Sequence, residues 1–436
     1  MIRLLYQVLL WLVLPAVLLR LEWRARREPE YGRRVGERMG RVPARVPGGC
    51  VWFHAVSAGE TIAVAQLIAD LAAEFAGDGG APMLVTTTPP TGSAQVAGRL
   101  GDSVHHCYAP YDFLFAVRSF FDKVQPRVLV LVETELWPNL IHEAHRRGVP
   151  VLLVNARLSA KSARGYGFVL VRCLTRSMLR EVALVACQYD DTLERYKSLG
   201  LPGEKAVALG SVKFDARLPD DHADQSAALH RALGLQQRHV WIAGSTHPGE
   251  DELVLDAHAR VRERSPESCL LLAPRHPVRG REICGLARRR GFSVLRMGAS
   301  GSGDPDAPSA SADVVVCDTM GQLQTLYGLS ELAFIGGSLV PVGGHNPIEA
   351  ALCRQPLAMG PHTWNFDEVV AAFAEADCLA RVQTAAQLGE VVIAAFKDEE
   401  ARAAAGAHAL QVVEENRGAT ARLFDLLRTR IRATLA

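Results

Sequence analysis

From Cys50 almost to the end of the chain, a short run of apolar residues is followed by a longer amphipathic stretch, and the pattern repeats. In the first half the apolar runs are Val51–Ala55, Met83–Thr87, Val104–Tyr108, Val128–Val132, Val151–Asn155, Leu184–Cys187 and Ala206–Leu209. Helical stretches fall between them at Thr61–Phe75, Phe113–Val124, Leu136–Arg147, Val169–Arg180 and Thr192–Leu199. In the second half the runs are Trp241–Ser245, Cys269–Pro274, Ser293–Arg296, Val314–Asp318, Leu332–Gly336, Leu357–Met359 and Cys378–Val382. Strands this rich in Val, Leu and Ile, alternating with helices, imply parallel sheets buried on both faces. The rhythm predicts two doubly wound α/β domains over 50–213 and 237–400. The polar, turn-rich residues 214–236 read as a linker and 401–436 as a C-terminal helix. A Gly/Ser/Pro/Asp-rich stretch, Gly298–Ala312, reads as a mobile loop. In such folds ligands sit at the carboxyl ends of the strands, in the cleft between the halves.

The N-terminus breaks this pattern. Leu4–Leu19 carries no charge, and as helix it covers about 24 Å, less than the roughly 30 Å of a hydrocarbon core. Arginines follow at 20, 24, 26, 27, 33, 34, 38, 41 and 45, and only Arg3 precedes. That asymmetry predicts a membrane anchor over 1–21, spanning or lying in the interface, with a basic membrane-proximal segment over 22–49. It places the body on the cytoplasmic face of the inner membrane, with anionic lipids as partners. A cleaved signal is disfavoured, because the basic cluster follows the apolar segment and no A-x-A site is evident; the other alternative is an apolar helix packed on its own domain. The formal net charge of +1 gives no reason to expect nucleic acid as a partner. The 9 cysteines show no C-x-x-C spacing, and most read as small buried apolar residues of a reducing compartment.

Several strand-end motifs carry candidate chemistry. Ser57-Ala-Gly-Glu60 follows the first strand; it fits a capping box, and it also places Glu60 as a general base. Thr86–Gly92 offers hydroxyls at a helix start, suited to an anion or to plain capping. Glu133-Thr-Glu135 puts two carboxylates at one strand end, where burial demands partners; Arg157 and Lys161 are possible ones. In the second half Pro274-Arg275-His-Pro offers a stiffened guanidinium for phosphate. Gly336–Ala350 is dense in glycine and then reads as a helix start, with Asn346 at the N-cap, Pro347 at N1 and Glu349 at N3. Glycines allow close approach to a ligand, a helix start offers free N–H groups to a phosphate, and Glu349 suits ribose hydroxyls. No set of side chains has metal-ligand spacing; Asp304-Pro-Asp306 matches D-x-D but lies far from any strand end.

Together these motifs resemble the transferases of 3-deoxy-D-manno-oct-2-ulosonic acid (Kdo) that act in lipopolysaccharide synthesis. The resemblance runs end to end, through Tyr31–Gly40, His54–Glu60, Glu133–Leu140, Asn155–Ser159, Gly210–Asp215, Pro274–Pro277, Asp318–Gly321, Gly343–Glu349 and Gly360–Phe366. It implies a GT-B fold, no cofactor and no metal. It implies Glu60 as general base, and Glu133 and Lys213 as stabilisers of the transition state, with Lys213 at the domain junction. It implies a CMP site of Pro274, Arg275, Met320, Gly321, Gln322, Asn346, Pro347, Ile348 and Glu349, with Gln322 standing where family members often have Glu. The reaction expected is transfer of Kdo from CMP-Kdo to a lipid A precursor, with inversion. Two rivals are a GT-B transferase using a UDP-sugar and a polyprenyl-linked acceptor, and a membrane-tethered nucleotide-binding module in which Glu60 only caps a helix.

Overall fold

A computed structural model of the protein describes residues 2–77, 80–299 and 312–435. Asp304-Pro-Asp306 and most of Gly298–Ala312 lie outside the described residues. The chain divides into two compact units, Met1–Asp215 with Arg417–Ala436, and Ala216–Asn416.

The first unit is built on β1 (Val51–His54), β2 (Met83–Thr87), β3 (His105–Tyr108), β4 (Val128–Val132), β5 (Val151–Ala156), β6 (Leu184–Cys187) and β7 (Ala206–Ala208). They form one parallel sheet in the order β3-β2-β1-β4-β5-β6-β7. Alternate residues serve opposite faces. Trp52, Leu129 and Leu131 pack with Phe120, Phe121 and Ile141 of the helices Leu114–Val124 and Pro138–Arg146. Val51, Phe53 and Val130 pack on the other side with Val64 and Ile68 of the helix Ala58–Glu74. That second face is completed from the far end of the chain by Leu423, Leu427 and Ile431, spaced four apart along the helix Ala419–Leu435. The segment expected as one helix over 401–436 is therefore two. Glu399–Glu415 belongs to the second unit and Ala419–Leu435 to the first, with a break at Gly418, where φ is +95°. The Asp215 carboxylate accepts from the Gly418 and Thr420 amides, both at 2.6 Å, and so anchors the start of the last helix.

The second unit repeats the scheme with β8 (Val240–Thr246), β9 (Cys269–Pro274), β10 (Val294–Arg296), β11 (Val314–Val316), β12 (Ala333–Ile335), β13 (Leu357–Met359) and β14 (Leu379–Arg381). The order is β10-β11-β9-β8-β12-β13-β14, again parallel. The stretch expected as a linker contains a helix, His222–Ala232, whose His222 and Ser226 bond to the carbonyls of Gln324 and Thr325.

The N-terminal helix runs from Ile2 to Arg27, through Pro15, and by length and composition is able to cross a membrane. It is longer than the apolar stretch because Glu22–Arg27 continues it, and Pro15 does not end it. One side is tied to the body. Arg3 bonds to Ser177 at 2.7 Å and to Glu181, Tyr6 donates to Asp112 at 2.8 Å, and Gln7 bonds to Asn139. Trp11 lies against Phe115. The other side exposes Leu4, Leu5, Leu9, Leu12 and Leu19, and the helix touches Val169–Glu181, at whose start Phe168 and Val169 are also exposed.

Candidate active site

In a doubly wound sheet the loops diverge where the strand order reverses, and the crevice opens at the carboxyl ends there. In the first unit that point lies between β1 and β4. The helix that follows β1, Ala58–Glu74, carries Glu60 in its first turn, and the loop after β4 carries Glu133 and Glu135.

Glu60 does take part in a capping box. The Ser57 hydroxyl accepts from the Glu60 amide at 3.2 Å, while the Glu60 carboxylate accepts from that hydroxyl and from the Val56 amide, each at 2.8 Å. Glu60 is buried, and its pKa is pushed up to about 8, first by burial and next by the charge of Glu135, with Glu133 adding to it. Glu135 is held by the Trp137 indole at 2.6 Å, and burial raises its pKa as well. Glu133 has φ of +60°, a strained left-handed conformation for a residue with a Cβ. Its carboxylate meets Lys213 at 3.7 Å. The ammonium thus sits beside the carboxylates inside the first unit. Lys213 is the partner that the strand-end carboxylates required, and Arg157 meets Glu133 through backbone, amide to carbonyl, at 3.4 Å.

The surroundings are polar but neutral. His54 is fully buried, and burial lowers its pKa to about 3; its Nδ1 pairs with the Thr86 hydroxyl at 2.9 Å, and Trp137 stands edge-on to its ring. Thr86 also accepts from the Trp52 indole at 2.8 Å, so this hydroxyl serves the core and not an anion. Asn155 is left-handed at φ +49° and accepts from the Val212 amide, tying the loop that carries Lys213 to the end of β5.

In the second unit the strand order reverses between β8 and β12. The residues expected for the nucleotide lie at the carboxyl ends of three strands, β11, β9 and β12. Met320, Gly321 and Gln322 follow β11, Pro274 and Arg275 end β9, and Asn346, Pro347, Ile348 and Glu349 come after β12. Met320 and Arg275 are exposed, and the Gln322 side-chain oxygen is buried with no hydrogen-bond partner.

The glycine-rich stretch differs from expectation. Its amides are turned inward onto a residue the sequence did not single out. Glu250, fully buried, accepts from the amides of Gly337 at 2.6 Å, Ser338 at 2.9 Å, Leu339 at 2.8 Å and His247 at 3.0 Å. Gly343 and Gly344 donate to the Gly337 carbonyl. Close packing requires the glycines: a Cβ at Gly343 would collide with the Trp364 indole, and one at Gly336 would come within 2.6 Å of the Ser245 carbonyl. The following helix, Ile348–Leu352, is a single short turn with Pro347 at its N-cap, while Asn346 accepts from the Ile348 amide at 3.1 Å.

What this loop presents is His345, whose Nε2 lies 2.8 Å from Nε2 of His247, with the rings nearly parallel. Burial lowers the pKa of both, that of His345 to about 4, and the charges of Arg275 and His276 push the same way. Two imidazoles kept neutral first by burial and then by nearby cations lie in a region of positive potential, suited to an anion. Among the described residues no cluster of three or more His, Cys, Asp or Glu is arranged for a metal ion.

Two parallel seven-stranded sheets, each with its polar residues at the point of reversal, define a GT-B architecture. The UDP-GlcNAc 2-epimerase of Neisseria meningitidis shares that fold, with a TM-score of 0.59 over 87% of this chain and 99% of that one, at 14% identity. Residues 33–216 match the family model described as 3-deoxy-D-manno-octulosonic-acid transferase. The 3-deoxy-D-manno-octulosonic acid transferase of Haemophilus influenzae is 37% identical over 98% of this chain and 98% of its own. That of Bordetella pertussis is 35% identical over 89% and 90%. The chain belongs to the Kdo transferase family and is a glycosyltransferase of lipopolysaccharide biosynthesis.

Proposed function

We propose that the protein transfers Kdo from CMP-Kdo to a glucosamine hydroxyl of a lipid A precursor, lipid IVA, by a single displacement that inverts the anomeric centre. The observation that carries this reading is Glu60, a buried carboxylate with a pKa of about 8 at the reversal point of the first sheet. A base poised near the working pH is what proton removal from a sugar hydroxyl needs. Glu60 takes the hydroxyl proton as the oxygen attacks the anomeric carbon. The Glu133–Lys213 pair stabilises charge that develops there, and CMP departs on the second unit. CMP-Kdo carries a phosphate and a carboxylate. Arg275, beside the His247–His345 pair, supplies the positive potential for them, and Pro274, Met320, Gly321, Gln322, Asn346, Pro347, Ile348 and Glu349 complete the CMP site.

The N-terminal helix serves membrane association. We read it as lying in the interface, because Arg3, Tyr6 and Gln7 bond to the body along its first two turns while the opposite side is apolar. The arginines that follow support a location on the cytoplasmic face of the inner membrane.

The test is incubation of the purified enzyme with CMP-Kdo and lipid IVA, followed by mass analysis of the lipid. Gain of one or more Kdo masses and release of CMP are expected. Transfer from a UDP-sugar but not from CMP-Kdo would refute the reading.

A further inference from the structure

The stretch Tyr31–Gly40 plays no part in the carboxylate site, yet it holds Arg38, the one arginine buried among the described residues, at 1% exposure. Arg38 lies against a crevice of about 440 Å³ between the N-terminal helix and the body of the first unit. Its Nη1 donates to the Thr88 carbonyl at 2.6 Å, and its guanidinium stacks over the Tyr108 ring at 4.1 Å. Its Nε and Nη2 are buried without hydrogen-bond partners, and so is the Thr88 hydroxyl. A buried cation with donors unmet is costly, and ring stacking offsets only part of that cost. The fitting ligand group is an anion that accepts several hydrogen bonds at once, as phosphate does. The rest of the crevice has a different character: Leu10, Val17 and Phe113 make its walls apolar, while Arg20 and Arg24 also line it. A free inorganic anion has no use for such walls, whereas a phosphorylated lipid fits both parts.

We propose that this crevice docks the acceptor, with Arg38 and Thr88 holding a phosphate of the glycolipid and the Leu10–Val17 wall holding an acyl chain. The proposal rests on the reading that the acceptor is a phosphorylated, acylated sugar, and the layout of the unit supports it. Trp137 lines the crevice and donates to Glu135, whose charge acts on Glu60. A lipid seated there presents its sugar along Trp137 toward the base.

The experiment uses the full-length enzyme in detergent micelles, lipid IVA, its dephosphorylated form and its de-O-acylated form. Lipid binding is measured directly without donor, and transfer kinetics are measured separately. Arg38→Ala is expected to weaken binding of lipid IVA by roughly 10- to 100-fold. It should leave the KM for CMP-Kdo unchanged and bind the dephosphorylated lipid as the parent does. Val17→Trp fills the crevice from a half-buried helix position, so it also keeps the test open if Arg38→Ala does not fold. It should weaken lipid IVA and spare the de-O-acylated form. Equal losses on all three lipids, or no loss, would overturn the proposal, as would displacement of lipid IVA from the crevice by phosphatidylglycerol vesicles. Lipid binding with these dependences but no Kdo transfer would instead overturn the functional reading and leave the docking site standing.

Discussion

Glu60→Gln separates the two jobs of this residue, because they respond to the substitution in opposite directions. Glutamine serves at the third position of a capping box as glutamate does, so most of the cap survives. What is lost is an ionisable group whose pKa rises from 4.5 in the unfolded chain to about 8 in the fold. A carboxyl shifted upward holds its proton more tightly when folded. Its contribution favours folding most below pH 4.5, and stability falls as the pH rises toward 8. At pH 7 that penalty amounts to roughly 3 kcal/mol as an upper figure. The variant is therefore expected to melt several degrees above the parent at pH 8 and level with it near pH 4, as read by scanning calorimetry. Its turnover on lipid IVA should fall by roughly 10²–10⁴-fold, the range for loss of a positioned base. In the parent, kcat/KM should rise with pH through about 8 as Glu60 ionises. Turnover within a few-fold of the parent, or a variant less stable at every pH, would refute the reasoning and leave Glu60 as a cap alone.

Lys213→Met removes the cation 3.7 Å from Glu133 and leaves its charge uncompensated beside Glu60. The acidic limb of the pH–rate profile should move to higher pH, with kcat down by roughly 10²-fold. Arg275→Ala, at an exposed position, should weaken CMP by roughly 10- to 150-fold in a calorimetric titration while the ligand-free melting temperature holds. Glu250→Gln leaves one acceptor oxygen for four amides, and should destabilise the protein by roughly 2–4 kcal/mol in urea and impair CMP binding together. Phe168→Asp with Val169→Asp should lower partition onto anionic vesicles by at least roughly tenfold without a change in melting temperature.

What was legible in the sequence was what depends on near neighbours. All the expected strands are present, with ends shifted by a residue or two, because a strand covered on both faces must be apolar throughout. Glu60 was legible because a capping box is a four-residue signal that happens to coincide with the reversal point of the sheet. The helix at His222–Ala232 was not, since its anchors are carbonyls of Gln324 and Thr325, about a hundred positions away. Nor does spacing identify Lys213. Its partner Glu133 lies on another loop, and only the adjacency of β4 and β5, with Asn155 clamping Val212, brings them together.

In the glycine-rich stretch a reading of near neighbours leaves out a partner supplied from another loop. Glycines before a helix do permit a backbone to approach a phosphate. In this chain the same freedom lets the loop fold over Glu250, a carboxylate supplied from the neighbouring strand's loop, which takes the amides an external anion would otherwise claim. An internal anion of this kind fixes the loop before any ligand arrives. On the proposed reading the cations that meet CMP-Kdo are side chains, Arg275 foremost, and the loop also holds His345 against His247 at 2.8 Å. Burial first, and the cationic neighbours after it, lower the pKa of both imidazoles, and an arriving anion would raise them and draw protons onto the pair. Donor affinity should accordingly strengthen as the pH is lowered from 7 toward 5, and His345→Phe should flatten that dependence while Arg275→Ala lowers affinity at every pH. A CMP-Kdo affinity that is independent of pH across this range in the parent would show that the histidine pair takes no part in holding the donor.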